Sequence, residues 1–81
     1  MRITVLLFAR LRDIAGKSNL DRDLPDGSTA RSVWKTLVQD FPEFDSYSEA
    51  ISTAVNEEYA HMDSKLSDGD EVAFLPPVSG G

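Results

Sequence analysis

The sequence predicts an α+β fold in which a small mixed sheet is covered on one face by one main helix. Three observations lead there. Residues 2–8 and 71–75 are rich in β-branched and aromatic side chains with period-two alternation, so strands stand near both ends of the chain. Only residues 29–41 carry a sustained apolar stripe at helical spacing. At 81 residues the chain has room for one domain and a thin core, which one helix laid on one sheet builds economically.

Taken in order, residues 2–8 (Arg-Ile-Thr-Val-Leu-Leu-Phe) form the first strand, with Ile3, Val5 and Leu7 on one face and Thr4, Leu6 and Phe8 on the other. Residues 9–15 suit a short helix stopped by Gly16, a residue that favours the left-handed C-terminal cap. Residues 18–24 read as a weaker strand with Leu20, Arg22 and Leu24 on one side, and Pro25-Asp26-Gly27 then supplies a turn. Thr29 is placed to cap a helix running to about Phe41. Ala30, Val33, Leu37 and Phe41 make its stripe, Trp34 and Val38 widen it, and Pro42 ends it.

Residues 43–49 are expected to be a loop. Residues 51–56 form a third strand with Ile51, Thr53 and Val55 inward, Asn56-Glu57-Glu58 turns, and residues 59–62 make a short edge strand. Asp68-Gly69-Asp70 is another turn before the last strand, residues 71–75. There Val72 and Phe74 point one way and Glu71, Ala73 and Leu75 the other. Strand, strand, helix, strand, short strand, strand is the order of the β-grasp, the fold of ubiquitin-like proteins. A β-grasp domain over residues 1–75 with a flexible tail over residues 76–81 is therefore expected.

Composition narrows the function. A hydrophobic content of 41% with 27% charged residues suits a folded domain and is too apolar for a disordered one. The apolar run near the N-terminus is far too short to span a membrane or serve as a signal peptide, so the expected address is the cytoplasm, with no membrane partner. The formal charge of −6 disfavours binding to a phosphate backbone and suits either simple solubility or a partner with a basic docking face. There is no cysteine, so disulfides, thiolate metal sites and side-chain sulfur chemistry are ruled out.

After Leu75 come Pro76, Pro77, Val78, Ser79, Gly80 and Gly81. Two adjacent prolines hold φ near −65° and remove two ladder donors, so the tail is expected to leave the sheet stiffly. The four residues beyond them reach roughly 13 Å when extended. Gly80 and Gly81 lack Cβ atoms and fit a channel too narrow for other residues. A carboxylate on Gly81 is sterically open yet a poor electrophile, so acyl chemistry there needs activation, as an acyl-adenylate from ATP would provide. A sulfur nucleophile attacking that adenylate leaves a thiocarboxylate; an amine leaves an isopeptide. Gly-Gly alone is weak evidence, because chain ends are commonly small residues.

The run 66–81 (Leu-Ser-Asp-Gly-Asp-Glu-Val-Ala-Phe-Leu-Pro-Pro-Val-Ser-Gly-Gly), supported by Ala54-Val55-Asn56 and by residues 6–12 (Leu-Leu-Phe-Ala-Arg-Leu-Arg), resembles the small subunit of molybdopterin synthase, the MoaD family. The similarity spans the chain, although only the last sixteen residues are distinctive. The resemblance implies a sulfur-carrier cycle. An ATP-dependent enzyme similar to ubiquitin-activating enzymes adenylates Gly81, and a sulfur-transfer protein converts it to a thiocarboxylate. The tail then enters the large synthase subunit and gives sulfur to cyclic pyranopterin monophosphate, building the dithiolene of molybdopterin. It also implies a heterotetramer of two large and two small subunits. Gly81 carries the sulfur, Gly80 gives clearance, and Pro76, Pro77, Val78 and Ser79 set direction. The small subunit donates sulfur without a catalytic site and binds no cofactor, ATP being consumed by the activating partner. A carrier for thiamin thiazole, cysteine or tRNA thiolation, a protein modifier joined through Gly81, and a plain interaction domain with an inert tail are the alternatives.

Sheet parity adds an independent expectation. With Ile3, Val5, Leu7, Val72 and Phe74 facing the helix, Leu6, Phe8 and Leu75 lie on the uncovered face beside the root of the tail. They form a candidate partner interface, set against the alternative of scattered surface hydrophobes. Arg10 and Arg12 suit either partner acids or plain solvation. His61 has no companion for a metal, Asp68 and Asp70 suit turn carboxylates bonding local backbone, and Trp34 suits the core or a half-buried helix flank.

Overall fold

Alternation along β1 (Arg2–Leu7) decides the layering of the molecule. In the computed structural model, which describes residues 1–77, Ile3, Val5 and Leu7 of this strand are fully buried and Thr4 and Leu6 are only partly covered. The chain then runs through α1 (Ala9–Ala15), β2 (Asn19–Asp23), α2 (Ala30–Asp40), a 3-10 helix (Pro42–Tyr47), β3 (Ser52–Val55), β4 (Glu58–Ala60) and β5 (Glu71–Leu75). The five strands form one sheet in the order β2-β1-β5-β3-β4. β1 and β5 pair in parallel at its centre, and every other pair is antiparallel. This is the expected mixed sheet of a β-grasp, with α2 against one face.

Local chemistry explains the helix ends. The Thr29 hydroxyl accepts from the Ser32 N–H at 3.3 Å, and Ser32 Oγ accepts from the Thr29 N–H at 3.2 Å. This reciprocal cap satisfies two of the donors that every helix start leaves unpaired. Gly16 ends α1 at φ 76°, where its N–H reaches the Arg12 carbonyl at 2.9 Å. α2 buries Ala30, Val33, Trp34 and Leu37 against Ile3, Val5, Leu7, Val72 and Phe74 of the sheet, while Phe41 and Val38 pack at the margin. Trp34 is core, 4% exposed, with its indole N–H donating to Ser48 Oγ at 2.9 Å.

Residues 43–49 are not a plain loop. Pro42–Tyr47 is a 3-10 helix that drives Phe44 completely into the core. Phe44 stacks on Trp34 at 5.5 Å and on Phe41 at 5.1 Å between ring centroids. A turn this short has too few residues for a periodic pattern to announce it, and Phe44 is buried because the far end of α2 leaves room beneath it, with Tyr47 packing at the margin. The edge strand is also shifted, to Glu58–Ala60 from the expected 59–62. The Asp68 carboxylate reaches beyond local backbone: its Oδ1 accepts from the Arg2 N–H at 2.7 Å at the start of the neighbouring strand β1, while Asp70 Oδ2 takes the nearby Ser67 N–H at 2.7 Å. Among the described residues no helix is long and apolar enough to cross a membrane.

Candidate docking face at the root of the tail

The sheet face turned away from α2 is built by register. Leu6 stands opposite Ala73, Ala73 opposite Ala54, and Ala54 opposite Tyr59, so one row crosses β1, β5, β3 and β4. Large side chains stand at both ends of this row and methyl groups in the middle. The result is a groove of about 310 Å³ with Leu6 and Tyr59 as opposing walls and Ala73 and Ala54 as floor. Phe8 and Leu75 line it at the end where β5 leaves the sheet, and Glu71 and Glu57 at the other.

The structure thus brings together Leu6, Phe8 and Leu75. Phe8 is 42% exposed, while Leu6 and Leu75 are half-covered. Phe8 is held outward because the chain turns sharply after it: Ala9 takes φ 50°, a left-handed angle that costs an alanine free energy. Tyr59, 83% exposed, belongs to the same face and was not foreseen. The signal that could have found it is the pairing of Ala54 with Tyr59 across an Asn-Glu turn, a tight hairpin whose register follows from loop length.

Asn56 and Glu57 both have left-handed φ, 51° and 71°, as a two-residue hairpin turn with the twist of its strands requires. Asn56 is at ease there; glutamate is not. The turn is tied down by Asn56, whose Oδ1 accepts from the Glu71 N–H at 3.0 Å and whose Nδ2 donates to Asp70 Oδ1 at 2.9 Å. This pair of bonds gives the Ala54-Val55-Asn56 motif its physical meaning. Elsewhere on the face Arg2 pairs with Asp21 at 3.4 Å, and Thr4 Oγ1 donates to the same carboxylate.

Pro76 is half-covered and Pro77 exposed just past the last ladder residue, Leu75, which pairs with Ser52. Val78, Ser79, Gly80 and Gly81 lie outside the described residues, so the expectations for the tail beyond Pro77 are carried by sequence alone. His61 is exposed, and no group of three metal-ligating side chains converges among the described residues.

A five-stranded mixed sheet with one helix across it and an apolar open face beside an exiting tail defines a ubiquitin-like β-grasp protein. The ThiS family model matches residues 5–81, nearly the whole chain, and the chain belongs to that family. It is 39% identical over 83 residues to the molybdopterin synthase sulfur carrier subunit of Chlamydomonas reinhardtii, covering 100% of both chains. Among solved structures it superposes on the small archaeal modifier protein SAMP1 from Haloferax volcanii with a TM-score of 0.88, 29% identity and full coverage of both chains. A molybdopterin converting factor subunit 1 from Pyrococcus furiosus gives 0.84 and 31%, covering 96% of this chain and 99% of that one.

Proposed function

We propose that this chain is the sulfur-carrying small subunit of a molybdopterin synthase, with the carboxylate of Gly81 as the carrier group. The observation that supports it most is positional. The apolar groove of the open face lies at the root of a Pro-Pro tail, in a chain that matches its family through residue 81. A body that docks by this face delivers the tail to whatever lies beyond the contact.

In the proposed cycle the Gly81 carboxylate attacks the α-phosphorus of ATP on an activating partner, releasing pyrophosphate and forming an acyl-adenylate. Sulfide displaces AMP and leaves the thiocarboxylate directly. Where the donor is a persulfide on a transfer protein, its outer sulfur displaces AMP to give an acyl disulfide. A second thiol of that protein then cleaves the S–S bond, releasing the thiocarboxylate as a protein disulfide forms. The loaded tail enters the large subunit, where sulfur passes to cyclic pyranopterin monophosphate. This chain supplies position. Pro76 and Pro77 limit the directions the tail can take, and two residues without Cβ atoms let it pass a narrow entrance. Leu6, Phe8, Leu75 and Tyr59 seat the body. Full burial of an exposed apolar side chain contributes on the order of 1.5–3 kcal/mol, and Leu6, Phe8 and Leu75, already partly covered, contribute correspondingly less, before the costs of association.

The test is intact-mass measurement after incubation with the activating enzyme, ATP and a sulfur donor. One oxygen-to-sulfur exchange is expected, confined to the C-terminal peptide. An unchanged mass under conditions that load a known carrier sinks the proposal. The likeness to SAMP1 favours a second reading, a protein modifier joined to lysines through Gly81. Lysine-linked adducts in cell extract without any thiocarboxylate form would establish that reading instead.

A further inference from the structure

We infer that the groove on the open face receives a long basic side chain, arginine or lysine, from the protein that docks there. Its alkyl stem lies over Ala54 and Ala73 and its cationic head meets Glu57 and Glu71. This deepens the docking reading proposed above and rests on it.

Shape is the first ground. A floor of two methyl groups between Leu6 and Tyr59 leaves a channel for an inserted side chain, whereas a flat contact would need no such trough. Polarity is the second. The groove is apolar from Phe8 and Leu75 inward and becomes acidic at its opposite end, because Glu71 stands four residues before Leu75 on β5. The bonds from Asn56 to Glu71 hold Glu57 at that same end. A ligand matched to this gradient is apolar along its length and positive at its tip, as lysine and arginine are.

Charge balance is the third ground. Arg2, the one cation that strand alternation places on this face, is already paired with Asp21, and neither Glu57 nor Glu71 has an ion-pair partner among the described residues. A wholly apolar insert would cover two carboxylates without compensation, which is costly. A metal ion is a poor alternative, since no third ligating side chain joins the pair.

The experiment measures binding of the full chain to the large synthase subunit of the same organism over a range of salt concentrations. The double variant Glu57→Gln with Glu71→Gln is expected to lose about tenfold in affinity at low salt and to flatten the salt dependence. Ala73→Leu, which fills the floor, is expected to weaken binding equally at all salt concentrations. Leu6→Asp reports on docking by this face as such. If Leu6→Asp abolishes binding while the double glutamine variant keeps both affinity and salt dependence, the basic insert is wrong and the docking reading stands. If Leu6→Asp binds like the unaltered chain, the face is not the interface and both readings fall. Circular dichroism of each variant checks that the fold is retained.

Discussion

Asn56 and Glu71 hydrogen-bond to each other in both directions: the Asn56 N–H donates to the Glu71 carbonyl at 2.8 Å, and Asn56 Oδ1 accepts from the Glu71 N–H at 3.0 Å. The β3–β4 turn is thereby fastened to the start of β5, at the acidic end of the groove. Asn56→Ala removes the side-chain bonds to Glu71 and Asp70 and puts alanine at a left-handed φ. A loss of about 2 kcal/mol is expected in denaturant titration, with faster amide exchange confined to the turn.

Phe44 is the strongest single test of the core. It is completely buried and stacks on both Trp34 and Phe41, so it ties the 3-10 turn to α2. Phe44→Ala is expected to cost about 3–5 kcal/mol, a large part of the stability of a domain this size. Equilibrium unfolding measures it, and a loss under 1 kcal/mol would show that the turn does not anchor the helix.

Tyr59 should behave in the opposite way. With 83% of its surface open, Tyr59→Ala is expected to change stability by no more than about 0.5 kcal/mol. Affinity for a docking partner should nonetheless fall by tenfold or more, because exposed aromatic anchors dominate such contacts. Calorimetric titration of the large subunit distinguishes the two effects.

Arg22 lies on the core side of β2 and pairs with Asp40 at the last residue of α2, and its Nε is buried without a partner. The pair sets a cation beside the negative end of the helix, which the acid alone would oppose. Asp40 is about half exposed, so solvent screening limits the effect. Asp40→Ala is expected to destabilise by about 1 kcal/mol, less at high salt, in thermal melts across a salt series.

Removal of Gly81 is expected to leave the melting curve unchanged, since the buried core is built by residues from Ile3 to Phe74. The same deletion is expected to abolish thiocarboxylate formation in the mass assay. Loading of the shortened chain would show that the carrier group lies elsewhere.

Short-range patterns decided much of this protein. The faces of β1 and β5, the Thr29 cap, the Gly16 stop and the Pro-Pro exit are each set by a residue and its near neighbours, so they can be read from the order of amino acids. The covered and open faces followed, and with them Leu6, Phe8 and Leu75. What tertiary structure alone decided was register and depth. Whether Ala73 stands between Leu6 and Ala54, and Tyr59 beyond them, depends on pairing between strands far apart in the chain. Phe44 is core because its 3-10 turn places it in a space left by the far end of α2. Burial depends on what lies opposite in space, and no local pattern along the chain encodes that.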